Sequence, residues 1–344
     1  MSLFYRLDTD GRQRVVDLGD FYLGPGMGAC WIVGGGPSLN EEVAAILRAS
    51  PAPKFAMNLC GAGLVRPTLW TSYDPSARFH RSIYLDASIQ KFVHRRRAMD
   101  VVPETTIKVC ECPNLVFFDR DGSRGYGDWL DAGKTRIGDW ADSFLQAIEL
   151  AYRLGFRQLL LAGCDMRIEP SDGLRELAKE RSLATTGRES LSELVALLEK
   201  GGVDRKTLAR FGSGRQYHFD ETKEFWAAVR TDSHYFRVAQ YLRLSRQSLA
   251  RAGLQLISVT PGSRLNDYVD YEPIATAAER VLRRVGDPRN ESTRGLYRGG
   301  VARQPSDRQP MRDLRPPRAG LSSPAVATRP VEILVEQAGW ERGV

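Results

Sequence analysis

Residues 34–38 read Gly-Gly-Gly-Pro-Ser, between the apolar run ACWIVG (29–34) and the amphipathic stretch EEVAAILRA. Glycines lack Cβ atoms, so such a bend can turn sharply and bring backbone N–H groups against a ligand. A following helix adds unpaired N–H groups and a partial positive charge, both suited to a phosphate. Ser38 offers a further donor or a helix cap. The pattern is not G-x-G-x-x-G, because Pro37-Ser38-Leu39 fills that space, and not a Walker A loop, because the Gly-Lys-Ser/Thr ending is missing. Gly34, Gly35, Gly36 and Ser38 are therefore candidate phosphate contacts, with a plain tight turn as the competing explanation.

Polar residues also close the other strand-like runs. Asn58 falls at the end of KFAMNLC (54–60), Asp74 closes TLWTSYD (68–74) ahead of Pro75-Ser76, and Asp165 closes RQLLLAGCD (157–165). Each alone is explained by the turn preference of Asn and Asp. Together they fit the carboxyl edge of an open parallel sheet, where ligands bind. Of four histidines, His80 and His94 sit in the basic stretch around Arg95-Arg96-Arg97 and read as surface residues. His218 and His234 remain as candidates for proton transfer near neutral pH.

The elements that must position these residues alternate short apolar runs with helical patterns. The runs at 29–34, 54–60, 68–74, IKVCEC (107–112), 157–165 and LQLISVT (254–260) predict strands, and the stretches at 38–49, 142–155 and 230–253 predict helices. This alternation is the signature of βαβ units around a sheet buried on both faces. In DSFLQAIELAYRLG the apolar residues Phe144, Leu145, Ile148, Ala151 and Tyr152 keep helical spacing, and Gly155 is a natural C′ residue. Residues 168–215 break the rhythm as a small helical insertion, either a lid beside the crevice or a plain excursion. The long stretch ending at Gly253 predicts one helix or two. The domain reading is thus a Rossmann-like nucleotide-binding body over 1–284, a disordered Arg/Pro-rich linker over 285–329 and a short segment over 330–344.

With 344 residues, 42% apolar and 26% charged, the chain has the composition of a soluble globular protein. No apolar run is long enough for a transmembrane helix, and no secretory signal is visible. Five scattered cysteines suit reduced thiols, so the expected compartment is cytoplasmic. The net charge of +7 is concentrated in the tail, where residues 283–318 hold ten arginines against four acids. The nearly neutral body gives no reason to expect nucleic-acid binding. The tail is either a solvated linker or a recruiting arm for an acidic partner.

The motifs, in their order, resemble those of the bacterial sialyltransferases of glycosyltransferase family 42 and of the related 6-hydroxymethylpterin diphosphokinase-like proteins. The likeness runs over roughly residues 30–270: G-x-G-P-S-L (34–39), Asn58, Tyr73-Asp74-Pro75-Ser76, the Leu154 to Asp165 stretch, Tyr217 to Asp220, Ser233-His234-Tyr235 and Thr260-Pro261-Gly262-Ser263. The resemblance implies a Rossmann-like site for a cytidine monophosphate sugar donor, a glycan or small-molecule hydroxyl acceptor, and no metal. Gly34 to Ser38 would meet the phosphate, and Asn58, Asp74, Ser76, Asp165 and Ser263 would surround the nucleotide. Tyr217 would stabilise the leaving phosphate, with His234 or His218 as base. The chain departs from the family at Gly35 and Asp74, which replace asparagines, at Arg167, which replaces a tyrosine, and at Val238, which aligns with the basic histidine. Asp74 would suit the diphosphokinase-like alternative, in which Asp74 and Asp165 hold Mg²⁺ between phosphates. A third reading is a non-catalytic nucleotide-binding scaffold with a recruiting basic tail.

Overall fold

A computed structural model describes residues 3–16, 28–60, 64–122, 127, 129–131, 133–211, 215–218 and 221–285. The linker and terminal segment expected over 285–329 and 330–344 lie outside them, apart from Val285. The strands are β1 (Phe4–Leu7), β2 (Gln13–Val16), β3 (Ala29–Val33), β4 (Lys54–Met57), β5 (Leu69–Thr71), β6 (Gln90–His94), β7 (Leu115–Phe118), β8 (Arg120–Asp121), β9 (Ile137–Gly138), β10 (Gln158–Ala162), β11 (Arg215–His218), β12 (Glu221–Lys223), β13 (Gln255–Ser258) and β14 (Asp270–Tyr271). The helices are α1 (Glu41–Ala49), α2 (Arg81–Tyr84), α3 (Ser143–Arg153), α4 (Asp172–Glu180), α5 (Leu191–Lys200), α6 (Arg205–Ala209), α7 (Phe225–Leu244), α8 (Arg246–Arg251) and α9 (Ile274–Val285).

Ten strands form the main sheet in the order β14-β13-β10-β3-β4-β5-β6-β7-β1-β2. The eight from β14 to β7 run parallel, and β1 and β2 add an antiparallel edge that the expectation of a parallel sheet did not include. The chain leaves β3 in one direction through β4 to β7, then returns beyond β3 through β10 and β13. Strand β3, ACWIV, is buried throughout because both faces are covered. Trp31 and Val33 face the core shared with α1, α2 and α9, while Cys30 and Ile32 face the core under α3, α7 and α8. On α3, Phe144, Leu145 and Ile148 are buried against the sheet; complete burial of a side chain of this size contributes about 1.5–3 kcal/mol. That helix starts at the cap Asp142, whose carboxylate accepts from Leu145 N, and stops before Gly155 with φ 97°.

Two expectations about elements are corrected. Residues 107–112 form a single 3₁₀ turn, Val109–Glu111, closed by a hydrogen bond from Lys108 N to Glu111 Oε2. The strands there are β6 and β7, one of which carries the fully buried Lys91. Its ammonium bends back to the carbonyls of Asp86 and Ile89, so a charged residue is accommodated mid-strand, and burial pulls its pKa down to about 7. His94 and His80 are half-buried rather than surface groups. Burial, then the charges of Arg120 and Arg96, pushes His94 down to about 4, and His80 caps α2 through Nδ1.

The insertion forms its own apolar cluster from α4, α5 and α6, docked on Phe225 and Ala228 of α7. Ser190 and Glu193 make a capping box at the start of α5. Fully buried Asp232 of α7 accepts from Ile168 N (2.7 Å), Ser190 Oγ (2.6 Å) and Ser192 N (2.8 Å), which ties the insertion to that helix. Among the described residues, no helix is long and apolar enough to cross a membrane.

Candidate functional site

Parallel strands place their carboxyl ends on one edge, and there a cleft of about 460 Å³ opens. Its walls are Asn58 and Leu59 after β4, Tyr73, Asp74, Arg78 and Phe79 after β5, Ala141 to Ser143 at the start of α3, Lys223 at the end of β12, and one stripe of α7. The stripe is Ala227, Arg230, Thr231, His234 and Tyr235, the spacing that puts residues on one helical face. The sequence-predicted residues Asn58, Asp74 and His234 thus meet in one place.

Asn58 is held with unusual completeness. Its backbone is left-handed (φ 53°), its N–H donates to Thr71 O (3.1 Å) and its carbonyl accepts from Trp70 Nε1 (2.7 Å). Its Oδ1 accepts from Ser72 Oγ (2.6 Å) and Ser143 Oγ (3.0 Å). Those two hydroxyls accept in turn from Asp74 N and Tyr73 N, so each is used both as donor and as acceptor. In this arrangement Oδ1 is engaged by the scaffold, and the Nδ2 donors are the part left for a ligand.

Across the cleft, His234 Nε2 lies 2.8 Å from Asp142 Oδ2. The carboxylate is anchored by its other oxygen as the cap of α3. Asp142 is 11% exposed and the imidazole 35%, so the ring has an open side for a reactant. The preceding residue, Ala141, is left-handed at φ 50°, a strain of about 1–3 kcal/mol for a non-glycine. Buried Glu149 sustains this corner by accepting from Gly138 N (2.9 Å) and Trp140 Nε1 (2.8 Å). Trp140 stacks edge-on against Tyr241 of α7 at 5.2 Å, which joins the loop bearing Asp142 to the helix bearing His234.

The cleft also carries a cationic group beside the His234–Asp142 pair. Arg78 pairs with Asp74 at 2.6 Å, and Lys223 Nζ donates to Thr231 Oγ1 at 2.8 Å. Burial lowers the Lys223 pKa, Arg78 and Arg230 lower it further, and Asp74 opposes them. Tyr73 has Arg120 over its ring at 4.0 Å, and burial and its bond to Asp139 raise its phenol pKa.

Other predicted residues have different employment. Gly34 N–H donates to Ala162 O and Gly36 N–H to Gly163 O, both at 2.8 Å. A Cβ on Gly36 would stand 1.8 Å from Asp165 Oδ2, and one on Gly34 would stand 2.3 Å from Gly163 O. The glycines therefore let the bend, with Gly35 buried inside it, interlock with the loop after β10. Ser38 Oγ donates to Asp165 Oδ2 (2.7 Å), and Asn40, not Ser38, caps α1. Burial pushes the Asp165 carboxyl up, while the Ser38 hydroxyl and N–H pull it down. Ser263 donates to Cys164 O and caps a 3₁₀ turn, and Ser76 is buried beside the Tyr84 hydroxyl. None of these seven predicted residues lines the cleft. Asp74 is held by Arg78 and Asp165 by Ser38, and of the two only Asp74 lines the cleft. Tyr217 and His218 lie on β11 next to β12, with their side chains outside the description. Val238, one turn beyond His234, is buried in the core.

Sequence reasoning missed Asp142, Ser143, Arg78, Lys223 and Arg230. Only Asp142-Ser143 had a local signal, as the cap opening DSFLQAIELAYRLG. Comparison of the chain with protein-family models, curated proteins and solved structures finds no match.

Proposed function

We propose that the protein is a nucleotide-sugar-dependent glycosyltransferase that moves a sugar from a cytidine monophosphate donor to a hydroxyl acceptor. The observation that carries this reading is the His234–Asp142 pair, set in one cleft with the preorganised amide of Asn58. Sugar transfer needs a base for the acceptor hydroxyl, and imidazole is suited to it near neutral pH. With Nε2–H donating to Asp142, the Nδ1 lone pair is left for that proton, and the carboxylate stabilises the imidazolium that results. Val238 is no obstacle, because His234 supplies the base one turn earlier on the same helix. Asn58 Nδ2 would donate to a carbonyl or ribose oxygen of the nucleotide. The Mg²⁺-dependent phosphotransferase reading is disfavoured by the separate engagements of Asp74 and Asp165.

The test is release of cytidine monophosphate from a panel of its sugar conjugates, with an acceptor mixture, in EDTA or Mg²⁺. Metal-independent release that His234→Ala abolishes supports the reading. Release that requires Mg²⁺, or survives His234→Ala, overturns it.

A further inference from the structure

Three cations, Arg78, Lys223 and Arg230, line the cleft from three different elements, the 3₁₀ turn after β5, the end of β12 and the first half of α7, and both arginines are close enough to act on Lys223. Among the described residues that line the cleft the acids are Asp74, engaged with Arg78, and Asp142, engaged with His234. Lys223 is fixed in place by its bond to Thr231 Oγ1, one residue from Arg230. Burial first, then the charges of Arg78 and Arg230, lowers the basicity of Lys223, and Asp74 opposes them. An anion set between the three would gain charge-assisted hydrogen bonds from all of them.

We propose that Arg78, Lys223 and Arg230 form a clamp for a dianionic phosphate, and that this clamp takes the leaving-group role that the resemblance gave to Tyr217. The proposal rests on the glycosyltransferase reading only for its catalytic part. In the transfer, the bond between the sugar carbon and the donor phosphate oxygen breaks, and its electron pair stays on that oxygen. The phosphate passes from a singly charged diester to a doubly charged monoester. The acceptor oxygen bonds to the sugar carbon and its proton goes to the imidazole of His234. Charge therefore grows on the phosphate in the transition state, and donors preorganised for the product charge lower the barrier more than they tighten substrate binding.

Two simple probes isolate the clamp from any sugar chemistry. Methyl phosphate is a dianion above neutral pH, and dimethyl phosphate is a permanent monoanion. Calorimetric titration of the full chain at pH 8 should show methyl phosphate binding at least roughly tenfold more tightly than dimethyl phosphate. Lys223→Met and, separately, the surface change Arg230→Gln should weaken methyl phosphate roughly tenfold and erase the preference, while Lys223→Arg retains it. Unchanged thermal melting of Arg230→Gln separates loss of the clamp from loss of fold. Equal affinity for the two esters, no binding of either, or wild-type binding by both neutral variants overturns the clamp. Dianion selectivity in a protein that turns over no cytidine conjugate sinks the glycosyltransferase reading and leaves the clamp standing. Transfer at the wild-type rate by both neutral variants sinks the catalytic role and leaves that reading standing.

Discussion

The glycine bend at 34–36 and the cleft walled by Asn58, Asp74, Asp142 and His234 lie on the same carboxyl edge of one sheet. They differ in what they have left over. At the bend, the N–H groups of Gly34 and Gly36 and the Ser38 hydroxyl all end on the loop 162–165, and a methyl group at Gly34 or Gly36 would collide with that loop. In the cleft, the scaffold consumes one half of each functional group and leaves the other: Asn58 keeps its amide donors, and His234 one ring nitrogen. A glycine-rich turn therefore signals close approach of something, and here that something is the protein's own backbone. Binding capacity resides where hydrogen bonds are half spent.

The contrast breaks most decisively at His234. His234→Ala should lower sugar transfer about 10²–10⁴-fold while donor affinity, measured by calorimetry, stays near wild type. A larger loss of affinity than of turnover would mean that the ring binds rather than reacts. Gly36→Ala should produce the reverse, a loss of about 1–3 kcal/mol of stability in urea titrations with the affinity of the folded fraction intact. Nucleotide affinity that falls with stability unchanged would return the phosphate seat to the bend. Asn58→Asp retains the acceptor oxygen for Ser72 and Ser143 but removes the donors, so nucleotide binding should weaken by about 1–2 kcal/mol with little change in melting temperature.

The smallest effect concerns Asp165. Its carboxyl is raised in the folded state, so the native protein holds that proton to higher pH than the unfolded chain does. Stability should consequently fall as pH rises from the ordinary carboxylate range through the folded pKa. Asp165→Asn should flatten that fall, as read from urea midpoints followed upward from the ordinary carboxylate range. An unchanged profile would mean that Ser38 fully offsets the burial of the carboxyl.

Much of the architecture was legible in the sequence because it is written locally. ACWIV and QLLLA are apolar throughout, as strands covered on both faces must be, and the α3 stripe repeats at helical spacing. Strand β6 escaped notice because Lys91 breaks the apolar run, and only the folded loop supplies the carbonyls that satisfy it. IKVCEC was misread as a strand because alternation over six residues does not reveal a side-chain cap such as Glu111. At the site, Asn58, Asp74 and His234 were legible as polar residues at strand ends or in a motif. The partnership of His234 with Asp142 was not, since 92 residues separate them and no local pattern connects the two. Nor could the sequence separate engaged polar groups from available ones, because that depends on which loops interlock.

Helix α7 has 20 residues and extends about 30 Å, and it serves three masters along its length. Phe225, Ala228 and Asp232 belong to the insertion, His234 to the cleft, and Val238, Ala239 and Leu242 to the principal core. A straight rod fastened at both ends conveys any tilt of one end to its middle. Remodelling the surface of α4 or α5 thus offers a route to retune the imidazole from a distance, with the sheet left as it is.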